Sequence, residues 1–141
     1  MEEDLVDLAG APGGFFAGLC TPHVGTGNFV VTSSDGAASW RKAGELPPLY
    51  SSGPLAATSS GTLAVSTPEV SPHGTFTARL FLSKDMGKQW KTALTDTQRV
   101  TVDVTLWVGF QTSLTGWWVG DPRAVWITMD GGEHWTKSPF P

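Results

Sequence analysis

No stretch of the chain carries the sustained apolar stripe of a helix, because Gly or Pro interrupts nearly every apolar run. What remains are short segments rich in Val, Phe, Trp and Thr, the residues that fill a pleated, half-buried surface. They predict strands at Leu5–Leu8, Phe15–Cys20 (after the Gly13-Gly14 turn signal), Asn28–Ser33 and Ser39–Ala43. A second set falls at Leu55–Thr58, Thr62–Ser66, Thr77–Ser83 and Gln89–Ala93. A third comprises Val100–Thr105 extending toward Phe110, then Gly116–Gly120, Ala124–Thr128 and His134–Lys137. In Gly116–Gly120 the alternation places Trp117 and Val119 on one face and Trp118 on the other, with packing between adjacent sheets expected for both indoles.

The last two strands of each set are joined by the same phrase. It reads Ser33-Ser34-Asp35-Gly36-Ala37-Ala38-Ser39-Trp40, Ser83-Lys84-Asp85-Met86-Gly87-Lys88-Gln89-Trp90 and Thr128-Met129-Asp130-Gly131-Gly132-Glu133-His134-Trp135. Trp40 and Trp90 lie 50 positions apart, and Trp90 and Trp135 lie 45 apart. A period of about 40–50 residues accommodates four short strands per unit, as in a propeller blade. The expected fold is therefore all-β: three four-stranded blades at approximately 1–45, 46–95 and 96–141 in a single propeller-type domain. The phrase has a local physical logic. The Asp carboxylate accepts backbone N–H bonds inside a tight turn, and the Ser or Thr hydroxyl adds another. The small residue permits a backbone angle that a side chain resists, and the Trp anchors the next strand by burial.

This phrase resembles the Asp-box, or bacterial neuraminidase repeat. Gly116-Trp117-Trp118-Val119-Gly120, Val125-Trp126-Ile127-Thr128, Asp130-Gly131-Gly132 and Trp135 resemble repeats of the photosystem II assembly factor type. The resemblance implies a structural role for Ser33, Asp35, Trp40, Ser83, Asp85, Gly87, Trp90, Thr128, Asp130, Gly132 and Trp135, away from the usual ligand face. Ala37 stands where the family prefers Gly, which predicts a slightly altered first turn.

On the opposite rim, Thr21-Pro22-His23 and Ser71-Pro72-His73 each place His ten positions before the phrase, and Asp121-Pro122-Arg123 occupies the third such loop. Two readings stand. Either duplication copied a Pro turn with its His, or His23, His73, Asp121 and Arg123 form a polar ring that recognises a glycan or peptide. The connections around Glu45–Tyr50 and Thr95–Arg99 border the same rim, adding Tyr50, Asp96 and Arg99 as candidates. Trp107 and Trp126 have no role in the phrase; either one, if exposed, is a stacking platform or a protein contact. Two His without clustered ligands do not make a metal site, and no cofactor motif is present.

Composition narrows the function classes. The 141 residues include 17 Gly, 10 Pro, 7 Trp and 7 Phe, with only 16% charged and 40% hydrophobic. A net charge of −4 excludes a phosphate backbone as the natural partner. Cys20 is the single cysteine and has no internal disulfide partner. No run is long enough to span a membrane. Met1-Glu2-Glu3-Asp4 is the opposite of a basic export signal, whereas the resemblance implies an extracytoplasmic setting, so cytoplasmic residence stays open. Sialidases with this repeat use a Tyr nucleophile assisted by Glu, an acidic Asp and three Arg. This chain has Tyr50 and four Arg (Arg41, Arg79, Arg99 and Arg123) but lacks the family's N-terminal Arg motif. The expectation is a non-catalytic protein- or glycan-binding module. The alternative is a sialidase-like glycoside hydrolase fragment whose site another chain completes. Three blades also leave two faces uncovered. Closure is expected through a dimer of six blades, within a longer propeller, or on a larger protein assembly.

Overall fold

A computed structural model describes residues 3–22, 27–47, 53–99 and 106–141. They form twelve strands: β1 (Glu3–Ala11), β2 (Phe15–Pro22), β3 (Phe29–Ser33), β4 (Arg41–Glu45), β5 (Leu55–Ala57), β6 (Leu63–Val70), β7 (Thr75–Ser83), β8 (Lys91–Arg99), β9 (Trp107–Phe110), β10 (Gly116–Asp121), β11 (Ala124–Thr128) and β12 (Thr136–Pro139). These strands build three antiparallel sheets of four, each paired in chain order. Every expected strand has a counterpart, with differences in extent. β1 is longer at both ends, β6 runs four residues past Ser66, and β8 runs six residues past Ala93. For the first strand of the third unit, the expected positions 100–105 lie outside the described residues, and its described part is β9.

Strand alternation assigns each side chain to one of two faces, and the faces pack blade against blade. Phe15, Ala17, Leu19 and Val30 of blade 1 meet Leu55, Ala57, Leu63 and Val65 of blade 2. On the other side of blade 2, Ala56, Ala64, Phe76, Ala78, Leu80 and Leu82 meet Leu106 and Trp118 of blade 3. Among the described residues, blade 2 thus packs both faces against neighbouring blades, and blades 1 and 3 pack one each. Polar bonds tie the same junctions. The Leu55 N–H donates to Asp7 Oδ2 at 2.7 Å, and Trp118 Nε1 donates to the buried Ser66 Oγ at 2.8 Å.

The three repeated turns share one geometry. The Ser33, Ser83 and Thr128 hydroxyls donate to Oδ1 of Asp35, Asp85 and Asp130 at 2.8, 2.8 and 2.9 Å. Each hydroxyl also accepts a backbone N–H four residues on, from Ala37, Gly87 or Gly132, at 3.0, 2.8 and 2.8 Å. Each carboxylate accepts the N–H of Ser39, Gln89 or His134 at 2.9 Å. Ala37 does not distort the first turn: it takes φ 70°, close to the 87° and 93° of Gly87 and Gly132. The glycines answer to their neighbours. A Cβ on Gly132 would stand 2.9 Å from Leu82, and one on Gly87 would stand 3.2 Å from the Ala43 methyl, whereas Ala37 is exposed.

The Trp residues that follow do not all share one fate. Trp90 and Trp135 pack onto the two junction cores, and each Nε1 donates to the carbonyl of Gly87 or Gly132 at 3.0 Å. Trp40, expected to be buried in the same way, is 42% exposed. The cause is its neighbour: each of these indoles packs against the preceding blade, and no described blade precedes the first.

The turn carboxylates give the fold a specific acid response. The Ser39 hydroxyl and N–H pull the Asp35 carboxyl down to about 2. Asp85 is held low mainly by the Gln89 N–H, and Asp130 lower still by the His134 N–H and ring. All three lie below the ordinary 3.8, so the unfolded chain takes up protons first as pH falls. Their stabilisation is complete above that value and is lost as pH drops through the folded values. Tm is expected to hold from pH 7 to about 5 and to fall below about 4, with Ser39→Ala reducing the drop. A thermal melt series from pH 7 to 2 with a flat Tm would refute this.

Candidate functional site: the rim between the second and third blades

Asp121 closes β10, and Ala124 opens β11, leaving a two-residue turn. Asp121 Oδ1 accepts the Arg123 N–H at 2.8 Å, a carboxylate-stabilised reversal. The Arg123 guanidinium folds back onto the same carboxylate, with Nε at 3.2 Å from Oδ1 and Nη2 at 3.3 Å from Oδ2. Beside it, Lys137 of β12 reaches Asp96 Oδ2 at 2.9 Å and Asp121 Oδ2 at 3.7 Å. Trp126, opposite Lys137 in the β11–β12 register, donates Nε1 to Asp96 Oδ2 at 3.0 Å, and the ammonium lies 5.5 Å from its ring centre.

Both carboxylates are buried, so each needs a cation or a donor to offset lost hydration. The network meets that need with two cations for two anions. Burial pushes the Asp121 carboxyl up, but the Arg123 bonds and charge, with Lys137, outweigh it and hold the group low. The same pairing raises the Arg123 guanidinium. An Asp kept this firmly ionised is no proton donor near neutrality. The network instead clamps β8 of blade 2 to β10 and β12 of blade 3. It also leaves an exposed guanidinium fixed on the rim.

Asp96 belongs to β8 rather than to the connection expected at Thr95–Arg99. The β7–β8 pairing runs on to Thr75 and Arg99, with Ala78 opposite Asp96 and the Thr77 and Thr97 hydroxyls 3.3 Å apart. A polar strand at the outer edge looks like a loop in sequence, since only its partner supplies the pairing. Trp126, a candidate exposed aromatic, is partly buried against the second core. Trp107 is 60% exposed, but it stands on the open face of blade 3 rather than at the rim cluster. His73 is exposed at the tip of the β6–β7 hairpin, five positions beyond Ala78, roughly 15 Å along the strand from the cluster. His23 and Tyr50 lie outside the described residues, as does the side chain of Arg99. Lys137 was not a sequence candidate. Nothing local distinguishes it from other lysines, and its role arises from strand pairing.

Among the described residues no three His, Cys, Asp or Glu group together in a way that suits a metal ion. Shallow clefts lie at the opposite end, among the repeated turns. One of about 280 Å³ is lined by Leu82, Lys84, Asp85, Gln89, Trp90 and Lys91. Another, of about 380 Å³, lies between Pro12-Gly13 and Ser60-Gly61.

Removing the clamp has a measurable consequence. Lys137→Met removes the nearest described cation from Asp96 and leaves it the Trp126 indole bond and the more distant Arg123 charge, at an expected cost of about 1–3 kcal/mol, below that of a deeply buried pair because Lys137 is partly solvated. The double variant Lys137→Met/Asp96→Asn should recover part of the loss in urea melts. Equal stability of wild type and Lys137→Met would show the pair to be idle.

Three four-stranded meanders packed face to face define an arc of a β-propeller. Comparison with solved structures agrees. YCF48 from Cyanidioschyzon merolae aligns over 96% of this chain and 37% of its own, at 17% identity and TM-score 0.57. The α-L-arabinofuranosidase Arb93A from Fusarium graminearum, with an iminosugar inhibitor, aligns over 96% of this chain and 48% of its own, at 11% identity and TM-score 0.60. A structure of YCF48 bound to D1 peptide aligns at 13% identity and TM-score 0.50, covering 96% of this chain and 66% of that one. The chain therefore spans less than half the length of the first two. No protein-family model and no curated protein sequence matches it.

Proposed function

We propose that this chain is a non-catalytic recognition and scaffolding module of the propeller type, taking a peptide or glycan on the rim that carries Arg123. The observation that carries this reading is the Asp121–Arg123 pair. It presents an exposed guanidinium whose position is fixed by a buried carboxylate, suiting it to a carboxylate of a ligand. The peptide-bound YCF48 structure supports a peptide as the ligand of a propeller of this shape. The shared turn geometry supports placing the chain among Asp-box propellers, whose usual ligand face is the rim away from those turns. That resemblance also supports an extracytoplasmic setting, which cell fractionation tests. Arg123→Ala should lower the affinity for an acidic peptide about tenfold or more in a fluorescence-polarisation titration run well below the variant's own Tm, which falls because buried Asp121 loses its guanidinium partner. Binding that is indifferent to Arg123 would move the site elsewhere.

The second reading is a hydrolase fragment completed by another chain, favoured by the arabinofuranosidase likeness. Turnover of a fluorogenic sialoside or arabinofuranoside, abolished on mutating a rim carboxylate, would support it over the first.

A further inference from the structure

The two uncovered blade faces are complementary in a way that the buried junctions make readable. Blade 1 leaves open the face carrying Leu5, Leu8, Phe16, Gly18 and Val31, with Trp40 beside Gly18. Blade 3 leaves open the face carrying Trp107, Trp117, Val119 and Ile127.

The register aligns the blades position by position. Ser33, Ser83 and Thr128 pair with Phe16, Leu63 and Gly116. One residue on, Ala17, Ala64 and Trp117 are therefore equivalent, and two residues on, Gly18, Val65 and Trp118 are equivalent. At the junction of blades 2 and 3, Trp118 is fully buried in the cluster that contains the small Ala64. At the open faces the sizes are exchanged. Trp117 stands where blade 2 has Ala64, and Gly18 stands where blade 3 has Trp118. Leu5 and Val31 lie over Gly18 with Trp40 beside them, so the surface offered to a facing indole is those apolar side chains.

The turns tell the same story. Lys84 of blade 2 pairs with Glu133 of blade 3 at 2.9 Å. The positions equivalent to these on the open sides are Met129 and Ala38, an apolar pair that buries no charge. Trp40 is the third sign. Its equivalents Trp90 and Trp135 each pack on a junction core, and Trp40 alone lacks one.

We propose that the open face of blade 3 seats on the open face of blade 1 of a second copy, and reciprocally, closing a six-bladed ring with two-fold symmetry. The contact continues the blade-to-blade packing used twice within the chain. It deepens the reading of the chain as a module of a completed propeller and is independent of which ligand binds at Arg123.

Light scattering on the eluting wild-type chain at about 50 μM should give twice the 15.0 kDa monomer mass. Trp117→Asp should elute as a monomer with an unchanged far-ultraviolet spectrum. The double variant Ala38→Cys/Met129→Cys, oxidised, should yield a covalent dimer that reductant dissolves, while neither single variant does. A folded wild-type monomer at that concentration would overturn the proposal, as would a cross-linked ladder, the mark of an open filament. If Trp117→Asp fails to fold, the cysteine pair still decides the question. Peptide binding through Arg123 is measured separately on the Trp117→Asp monomer, so that loss of the ring and loss of recognition are read apart.

Discussion

Trp118→Ala is expected to cost about 3–5 kcal/mol, enough to bring a chain of this size close to unfolding. Trp118 is fully buried at the junction of blades 2 and 3, and the neighbouring backbone is shaped around it. A Cβ added at Gly120 would stand 2.5 Å from its ring and 3.0 Å from the Ala78 methyl. The wall opposite is made of small side chains, Ala56, Ala64 and Ala78, whose strands are paired and do not collapse into a void. Truncation therefore leaves a cavity. It also strands the Ser66 hydroxyl, which accepts the indole N–H at 2.8 Å in a fully buried site. Trp118→Phe separates the two effects: it retains most of the filling and loses only the donor, at about 1–3 kcal/mol. Urea melts followed by circular dichroism measure both. A loss below about 1 kcal/mol for the alanine variant would mean that the junction repacks.

Gly44→Ala is the second large effect, expected at about 1–3 kcal/mol or more from the addition of a single methyl group. Gly44 lies in β4, where blade 1 presses on the turn of blade 2. An added Cβ would sit 2.2 Å from the Gly87 carbonyl oxygen and 3.3 Å from the Lys88 Cα. These are backbone atoms of a turn held by four hydrogen bonds to Ser83 and Asp85, so they do not swing aside as a side chain would. The blades must separate locally, and amide exchange at Gly87 should quicken together with the fall in Tm. Gly36→Ala isolates backbone strain: unlike Gly44, Gly36 takes a left-handed backbone, φ 72°, and a Cβ there meets nothing within 4 Å. Its expected cost is about 1 kcal/mol of backbone strain. Similar losses for both variants would assign the Gly44 effect to something other than the junction.

Legibility in the sequence followed the range of the interaction. The repeated turns were readable because their bonds run between residues two and four apart, Ser33 to Asp35 and Asp35 to Ser39 among them. Strand positions such as Phe15–Cys20 and Ala124–Thr128 were readable because alternation and flanking breakers are local. The rim was legible only in part. Asp121 and Arg123 lie two residues apart and bond across their own turn. Asp96 and Lys137 are 41 positions apart and meet only because blade 2 stands beside blade 3.

Sequence alone determined the repeat, the four-stranded unit, its three turns and the parity that sorts each side chain onto one of two faces. Only the tertiary structure decided which blade each face meets. Adjacent residues Trp117 and Trp118 differ in nothing but parity, yet one is sealed between blades and the other is 41% exposed. Trp40 and Trp135 occupy the same position of the same phrase, yet only Trp135 has a described blade before it to pack against. Local bonding and alternation are properties of a short segment. Burial is a property of what stands opposite, and no segment carries that information by itself.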